Sequence, residues 1–201
     1  MNKDLLNELE KNNFISTKRA VELGVSKTLL SNYVNEGKLD RVDHGIYVLP
    51  NCIYDDMTGL MLKSKNIIFS HETALFLHGL SDRTPFIHSV TIPSDASLSK
   101  ECYKECKCYY VKRNMHELGL IQIRNTFGHK VKCYDIERTI CDIVKDKNRM
   151  DEEIVFNAIK RYSKLESKNL NKLYKYAVLL KVNDKLRTYF EVLLWAIRQW
   201  V

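Results

Sequence analysis

Three cysteines lie close together in the chain, at Cys102, Cys106 and Cys108, with Cys133 further on. Thiolates at such spacing can hold a zinc ion, but structural zinc sites usually show paired C-x2-C knuckles, and this sequence has none. Reduced cysteines that are buried or incidental are therefore the favoured interpretation. The sequence predicts no metal site and no other cofactor.

Two histidines, His71 and His78, lie on a predicted helix in the pattern HExxxxxH. Zinc proteases use HExxH, which places both imidazoles one turn apart, so this spacing does not predict a metal pair. Ser70 and His71 are expected to cap and orient the helix. Asp55 and Asp56 are expected to favour the start of another helix through its dipole. No nucleophile–base pair and no Gly-rich phosphate loop emerges, so we expect the chain not to be an enzyme.

A set of short polar residues recurs at helical spacing after Ser26: Lys27, Thr28, Ser31, Asn32 and Asn35. On a helix they form one face, and such side chains can reach base edges and phosphates in a DNA major groove. Ser26 would expose N–H groups at the helix start, where a phosphate can bind. The alternative interpretation is a polar helix face that is simply solvated.

Basic residues flank this predicted helix on both sides. Lys18 and Arg19 open the preceding helix, which in a helix-turn-helix crosses the DNA backbone. Arg41 and His44 lie at a predicted hairpin, where they could touch a phosphate or the minor groove. The predicted DNA-binding set is therefore Lys18, Arg19, Ser26, Lys27, Thr28, Ser31, Asn32, Arg41 and His44.

The first fifty residues supply the elements that would position this set. Apolar periodicity predicts helices over 3–11, 17–23 and 27–36, and the second is expected to turn Ala20, Val21 and Leu23 inward. Gly24 and Gly37 are expected to end the second and third helices. Apolar residues at 39, 42, 46 and 48, with His44-Gly45 between them, predict a hairpin. Three helices and a hairpin predict a winged helix-turn-helix.

After Pro50 the pattern changes to a mixture of helices and strands. Helices are predicted over 52–64 and 70–78, and strands over 67–69, 86–92, 107–112, 120–125 and 130–134. From residue 136 the chain is predicted helical, over 136–146, 151–163, 168–181 and 184–198. We therefore expect an α+β fold with a helical C-terminus, divided into a DNA-binding domain over 1–50 and a second domain over 51–201.

Charge and composition narrow the classes of protein. The net charge is +7, but residues 1–50 carry seven basic and seven acidic residues, so the whole excess lies after residue 50. DNA binding by the N-terminus must therefore come from local arrangement of charge. The polar start MNKDLLNELEKNN predicts no signal peptide, and no apolar run approaches the ~20 residues that span a membrane. We expect a cytoplasmic protein with no membrane association.

Three stretches together resemble the AbiEi antitoxins of type IV toxin–antitoxin systems. STKRAVELGVSKTLLSNYVNEGKLDRVDHGIYVLP is similar to their N-terminal domain. FSHETALFLHGLSD and YDIERTICDIVKDKNRMDEEIVFNAIKRY are similar to their C-terminal domain. The combination with LHGL and ERTICDIV is more specific than the first stretch, which many winged-helix regulators share.

The resemblance implies two roles. Members of the family are transcriptional autorepressors that bind inverted repeats ahead of their own operon. Their C-terminal domain opposes a toxin with a nucleotidyltransferase fold, without needing a stable complex, in abortive-infection defence against phage. Two other classes stay open: a ligand-responsive repressor without a toxin partner, and a DNA-targeted nuclease.

Candidate residues for the toxin-opposing surface come from the second part of the chain. Arg138 and Asp142 lie at i, i+4 and form either a surface pair or an internal tie. Lys160, Lys164 and Lys168, followed by Lys172 and Lys175, could line one helical stripe that faces a polyanion. A solvated face is the alternative for the stripe.

Overall fold

A computed structural model describes residues 1–198 of the 201-residue chain, with side chains up to Glu191. The chain forms two compact units, and the division between them falls after Leu62. The predicted domain boundary after Pro50 lies inside the first unit. The assignment of separate roles to residues 1–50 and 51–201 stays a prediction. No helix in the described part of the chain is long and apolar enough to cross a membrane.

The first unit contains four helices and a small antiparallel sheet. The elements are α1 (Lys3–Asn12), β1 (Ile15–Ser16), α2 (Thr17–Glu22), α3 (Lys27–Asn35), β2 (Asp40–Asp43), β3 (Ile46–Val48) and α4 (Asp56–Lys63), which runs across the division after Leu62. The strands are ordered β1-β3-β2, and β2 carries an irregularity between Arg41 and Asp43.

The core of this unit is built from one apolar side chain per helical turn. Leu5 and Leu9 of α1, Ala20 of α2 and Leu30 of α3 are all buried. The prediction that Val21 turns inward is wrong, because its side chain is 51% exposed. A six-residue helix has fewer than two turns, so Ala20 occupies the inward position and Val21 lies about 100° around the axis.

The hairpin turn between β2 and β3 is fastened to the start of α2. The Thr17 backbone N–H donates to the Gly45 carbonyl at 2.7 Å, and the Thr17 hydroxyl donates to the same oxygen at 3.1 Å. Gly45 has φ +72°, and a Cβ there would lie 2.9 Å from Thr17 Oγ1. Both the backbone conformation and the close approach therefore require glycine at this turn.

The second unit is a five-stranded mixed sheet with helices packed against it. Its elements are β4 (Ile68–Phe69), α5 (His71–Leu77), β5 (His88–Pro93), α6 (Lys100–Glu105), β6 (Cys106–Val111), α7 (Arg113–His116), β7 (Leu120–Arg124), β8 (Lys130–Tyr134), α8 (Ile136–Lys145), α9 (Glu152–Lys164), α10 (Leu170–Leu179) and α11 (Asn183–Arg198). The strand order is β6-β5-β4-β8-β7. Within this sheet β5 pairs with β6, and β4 with β8, in parallel, whereas the other two pairs are antiparallel.

The mixed α+β class is confirmed by these elements. The predicted strands and long helices are present with boundaries shifted by up to four residues, whereas α6 and α7 were not predicted. Both are short, six and four residues, and so carry too few apolar positions to show a helical period.

One buried arginine ties α8 to the connection between β6 and β7. Arg138 is fully buried, and its Nε donates to both carboxylate oxygens of Asp142 at 3.0 Å. Its Nη1 donates to the carbonyls of Met115 and Leu118, each at 2.9 Å, and its guanidinium lies 4.3 Å from the centre of the Tyr134 ring. A Cβ at Gly119, which has φ +80°, would lie 2.7 Å from Arg138 Cβ.

We predict that breaking this tie destabilises the second unit. Asp142→Ala leaves the buried guanidinium without its counter-ion, which costs about 3–5 kcal/mol. The matched control is Glu191→Ala, because Arg187 and Glu191 form an i, i+4 pair of the same type with both side chains exposed. Urea denaturation should show a large loss of stability for the first variant and almost none for the second. Equal losses would contradict the structural role given to Arg138.

We also predict that mild acid destabilises the second unit. Burial lowers the pKa of His78. The hydrogen bond with the Tyr134 carbonyl and the negative charges of Asp135 and Glu137 raise this pKa, but by less than burial lowers it. Burial also lowers the pKa of His116, which outweighs hydrogen bonds to two carbonyls. The unfolded chain, with histidine pKa values near ~6.5, therefore binds more protons than the folded chain. The free energy of unfolding should fall as pH drops below about 6.5.

This dependence is measured by urea denaturation at several values between about pH 7.5 and about pH 5.5. His78→Gln and His116→Gln should each flatten the loss of stability, whereas exposed His44→Gln should not. An unfolding free energy that stays constant across this range would show that neither histidine is held neutral by the fold.

Candidate nucleic-acid interface

The exposed face of α3 carries the polar set that the sequence predicted. The buried residues of this helix are Leu30 and Tyr33, which turn into the core. The opposite face exposes Lys27, Thr28, Ser31, Asn32 and Asn35. The helix contains no Asp or Glu, so Lys27 is its single charge. Residues 1–50, which carry no net charge, thus present one face with hydroxyls, amides and a single positive charge.

Both ends of α3 are fixed from within the first unit. The Ser26 hydroxyl accepts from the Leu29 N–H at 3.2 Å and caps the helix. The Tyr33 hydroxyl accepts from the Asn2 N–H at 3.2 Å and so joins α3 to the start of α1. The backbone of α3 is therefore fixed before any ligand binds, which limits the conformational entropy that binding would cost.

The two basic residues of α2 differ in their surroundings. Lys18 is exposed and makes no ion pair among the described residues. Arg19 is exposed but paired, with its Nε 3.2 Å from Glu8 Oε1 and its Nη1 3.3 Å from Glu22 Oε2. The hydrogen bond with Glu8 raises the pKa of Arg19, and the same bond lowers the pKa of Glu8. The positive charge of Arg19 is therefore largely compensated inside the unit.

The hairpin exposes Arg41 and His44 side by side. An Arg41 Nη2 donor lies 3.1 Å from His44 Nδ1, and Arg41 Nε donates to the Asp43 carbonyl at 3.3 Å. Because the guanidinium always donates, His44 Nδ1 accepts and its proton lies on Nε2. The two side chains thus form one donor group at the tip of the hairpin. All nine residues of the predicted set lie in the first unit with at least their charged or polar ends near its surface.

This arrangement suits a duplex more than a small molecule. A helix with its side chains is about 10–12 Å across, close to the ~12 Å width of the major groove. The donors are spread over a convex face and a hairpin instead of converging in a pocket. Residues 3–50 match a family model, AbiEi_4, described as "Transcriptional regulator, AbiEi antitoxin".

This match to the AbiEi antitoxin family spans 48 of the 201 residues. No curated protein matches the chain. Among solved structures, the Rv2827c protein from Mycobacterium tuberculosis is similar, with a TM-score of 0.55 and 10% identity. The match covers 93% of this chain and 79% of that one. At this identity the likeness supports the fold alone, and it extends across both units.

Two of the residues predicted for the AbiEi-type toxin-opposing surface are not at the surface. Arg138 and Asp142 are 0% and 2% exposed, so the surface-pair interpretation is wrong and the internal tie is what the structure contains. The spacing i, i+4 is the same for an exposed and a buried pair, so the sequence could not distinguish the two. The pair is buried because the Tyr134 ring and Gly119 pack against Arg138.

The predicted basic stripe does not run along one helix. Lys160 and Lys164 are exposed on α9, which ends at Lys164. Lys168 lies beyond the helix, half-buried, and its Nζ donates to the Leu165 carbonyl at 2.9 Å. On α10, Lys172 is 2.9 Å from Asp135 and 3.7 Å from Glu137. A continuous stripe is therefore wrong, whereas Lys160 and Lys164 remain a candidate surface.

The cysteines also occupy distinct places. Cys106 and Cys108 bring their sulfurs to 3.6 Å on β6, whereas Cys133 lies on β8, which β5 and β4 separate from β6. No group of three metal-ligating side chains occurs among the described residues. At the start of α4, the Asp55 carboxylate caps the helix by accepting from the Thr58 N–H at 3.1 Å.

One network that the sequence did not predict joins Ser70, His71 and Asp146. His71 Nδ1 lies 2.9 Å from Ser70 Oγ, and His71 Nε2 lies 3.2 Å from Asp146 Oδ2. The predicted capping by the Ser70 side chain is wrong, since its hydroxyl makes no cap hydrogen bond and accepts from Thr91 at 2.8 Å. Ser70 is fully buried, so this Ser-His-Asp set meets no substrate and fixes α5 to the end of α8.

We predict that releasing Arg19 strengthens binding to duplex DNA. Glu8→Gln removes the first of the two carboxylates that compensate Arg19 and leaves only the exposed pair with Glu22, so Arg19 can displace a counter-ion from a phosphate. The slope of log affinity against log salt should steepen by about one unit. The control is Glu10→Gln, an equal charge change on the same helix at an exposed residue with no ion pair among the described residues.

Fluorescence anisotropy over a range of salt concentrations measures both slopes. The Glu10→Gln variant should gain some affinity through its net charge but keep the wild-type slope. Identical slopes in the two variants would mean that Arg19 does not reach the DNA.

Proposed function

We propose that this protein is an antitoxin and transcriptional autorepressor that acts in the cytoplasm. Its first unit would be a winged helix-turn-helix that binds repeats in the promoter of its own operon. Its second unit would counteract a nucleotidyltransferase-like toxin without a stable complex being required. The observation that carries the proposal is the acid-free polar face of α3, within a segment that matches the AbiEi antitoxin family.

In this proposal α3 is the recognition helix and α2 crosses the DNA backbone. Asn32 and Asn35 supply amides that can pair with adenine, and Lys27 supplies a donor to guanine or phosphate. The capped start of α3 at Ser26 adds N–H groups that suit a phosphate. The hydrogen bonds from Thr17 to Gly45 hold the hairpin beside α2, so Arg41 and His44 would meet the backbone next to the groove.

The charge distribution supports repeats in the operator. Lys18, Lys27 and Arg41 are the exposed cations of the set that no carboxylate pairs among the described residues. Three neutralised phosphates give a shallow salt slope and weak non-specific binding for one copy. Two copies on neighbouring repeats double that number, which raises the affinity of a domain that has no basic excess of its own.

The second unit is proposed for the toxin-opposing role because it has its own sheet, its own core and all of the basic excess. Its core cluster joins α8, α9 and α10 around residues such as Ile140, Ile159 and Leu173. Lys160 and Lys164 project from α9 on the outside of that cluster. With no catalytic set accessible to substrate in the described residues, a binding role for this unit is favoured over a nuclease.

We predict that repression and neutralisation separate by mutation in the full chain. Lys27→Ala with Asn32→Ala should weaken operator binding by about 1–3 kcal/mol for each side chain that reads a base edge. Protection from the co-expressed toxin should persist, since both residues are exposed on the first unit. The control is Lys3→Ala with Asn7→Ala, the same residue types exposed on α1. Gel-shift titration and a growth assay measure the two activities.

The converse variant is Lys160→Glu with Lys164→Glu. It should impair protection from the toxin and leave operator binding close to that of the wild type. Wild-type affinity in the Lys27, Asn32 variant would remove α3 as the recognition helix. Loss of protection in that same variant would contradict the division of roles between the units.

A further inference from the structure

A cavity of about 690 Å³ lies within the second unit, between the end of β6, α7, the end of α8 and the join of α10 to α11. Its volume falls in the range of small-molecule sites, about 300–1,000 Å³. A second cavity of about 190 Å³ is lined by Asp82, Arg83, Glu153 and Arg161, which pair with one another or with neighbouring acids. The larger cavity differs from it in charge.

Four lysines line the larger cavity and no acidic residue does: Lys112, Lys145, Lys181 and Lys185. None of the four makes an ion pair with another described residue. Asp95, next to the cavity-lining Ser94, pairs with Arg113 at 2.7 Å. Asp146, next to Lys145 in the chain, bonds His71, although the charge of Lys145 also helps to lower its pKa. Four like charges around one cavity repel one another, and an anion of high charge relieves that repulsion.

Lys181 occupies a backbone position that favours glycine. Its φ is +58°, just after the end of α10, where helices usually place glycine in the left-handed conformation. A non-glycine residue there costs about 1 kcal/mol. The Lys181 N–H donates to the Val178 carbonyl, so the backbone is held in this conformation while the side chain lines the cavity. Helix α11 begins two residues later, and the positive end of its dipole lies at the same wall.

Apart from Ser94 and Asn114, the remaining lining residues are apolar or aromatic and include one exposed ring. Tyr110, 48% exposed, lies on the edge strand β6, and its hydroxyl donates to the Tyr103 hydroxyl at 3.2 Å. Met115 and Val182 add apolar surface. Inorganic phosphate would satisfy the lysines and leave this wall unused. A ligand that joins several phosphates to a flat ring system uses both.

We propose that this cavity binds a nucleoside polyphosphate, with the four lysines on the phosphates and the base against Tyr110. The site is separate from the α3 surface, and the inference does not rest on the proposed function. A polynucleotide is the less suitable ligand, because a chain of single phosphates spreads its charge along a groove, whereas these lysines surround one cavity.

Isothermal titration calorimetry of the full chain tests the proposal with ATP, GTP, CTP, UTP, tripolyphosphate and adenosine. At least one nucleoside triphosphate should bind more tightly than tripolyphosphate, and adenosine should bind weakly. Lys181→Gly and Lys185→Gln should each weaken nucleotide binding about tenfold. Tyr110→Leu should weaken it about fivefold or more and leave tripolyphosphate unchanged. The control is Lys160→Gln with Lys164→Gln, which removes two charges outside the cavity and should change little.

Lys181→Gly replaces a left-handed lysine with glycine, so its melting temperature should equal or exceed that of the wild type. If that variant melts lower, Lys185→Gln, at an exposed residue, carries the same test. No saturable binding below about 1 mM overturns the proposal, since the free energy is then under about 4 kcal/mol. An equal loss of affinity in the control overturns it too, as does equal affinity for nucleotides and tripolyphosphate. A short oligonucleotide that displaces the nucleotide at lower concentration, and depends on the same lysines, would show a nucleic-acid surface instead.

Discussion

The arrangement of the second unit depends on the fully buried guanidinium of Arg138. A charge enters the interior only when it is paired and hydrogen-bonded, so its partners must keep their positions. Those partners are the Asp142 carboxylate one turn along α8 and two carbonyls in the connection that contains α7. Because Met115 supplies one of these carbonyls and also lines the lysine cavity, the same interaction fixes one wall of that cavity.

In the first unit, the hydrogen bonds between Thr17 and Gly45 likewise hold two elements in fixed positions. Thr17 and Gly45 share two hydrogen bonds, so the start of α2 and the tip of the hairpin move together. The polar residues of α3 and the hairpin contribute little to the core, since they point away from it. Packing in the core therefore does not determine which amino acids stand at these exposed positions. A polar face without acidic residues is compatible with the core, and the backbone beneath it is held by the hydrogen bonds at both ends of α3.

The sequence predicted the first three helices and the hairpin of the first unit because each signal there is local, whereas the two-residue strand β1 was not predicted. Apolar spacing places Leu30 and Tyr33 on one side of α3, and the polar face follows from the same period. Burial of Arg138 could not be predicted, since it depends on Tyr134 and on carbonyls about twenty residues away. The lysine stripe failed at Lys164, where α9 ends and the helical period is interrupted. Strand order was also beyond local signals, because β4 lies between β5 and β8, which are far apart in sequence.

In neither unit does the net charge predict which cations remain available to bind an anion. The first unit carries seven basic and nine acidic residues, so its net charge is −2. Arg19 is compensated by Glu8, whereas Lys18, Lys27 and Arg41 keep their charge toward solvent. In the second unit many cations are used in pairs, such as Arg83 with Asp151. Lysines from the end of β6, α8 and the α10–α11 join lie far apart in sequence and meet around one cavity without carboxylates. Recognition of anions depends on which cations the fold leaves without a carboxylate, and only the folded chain determines that set.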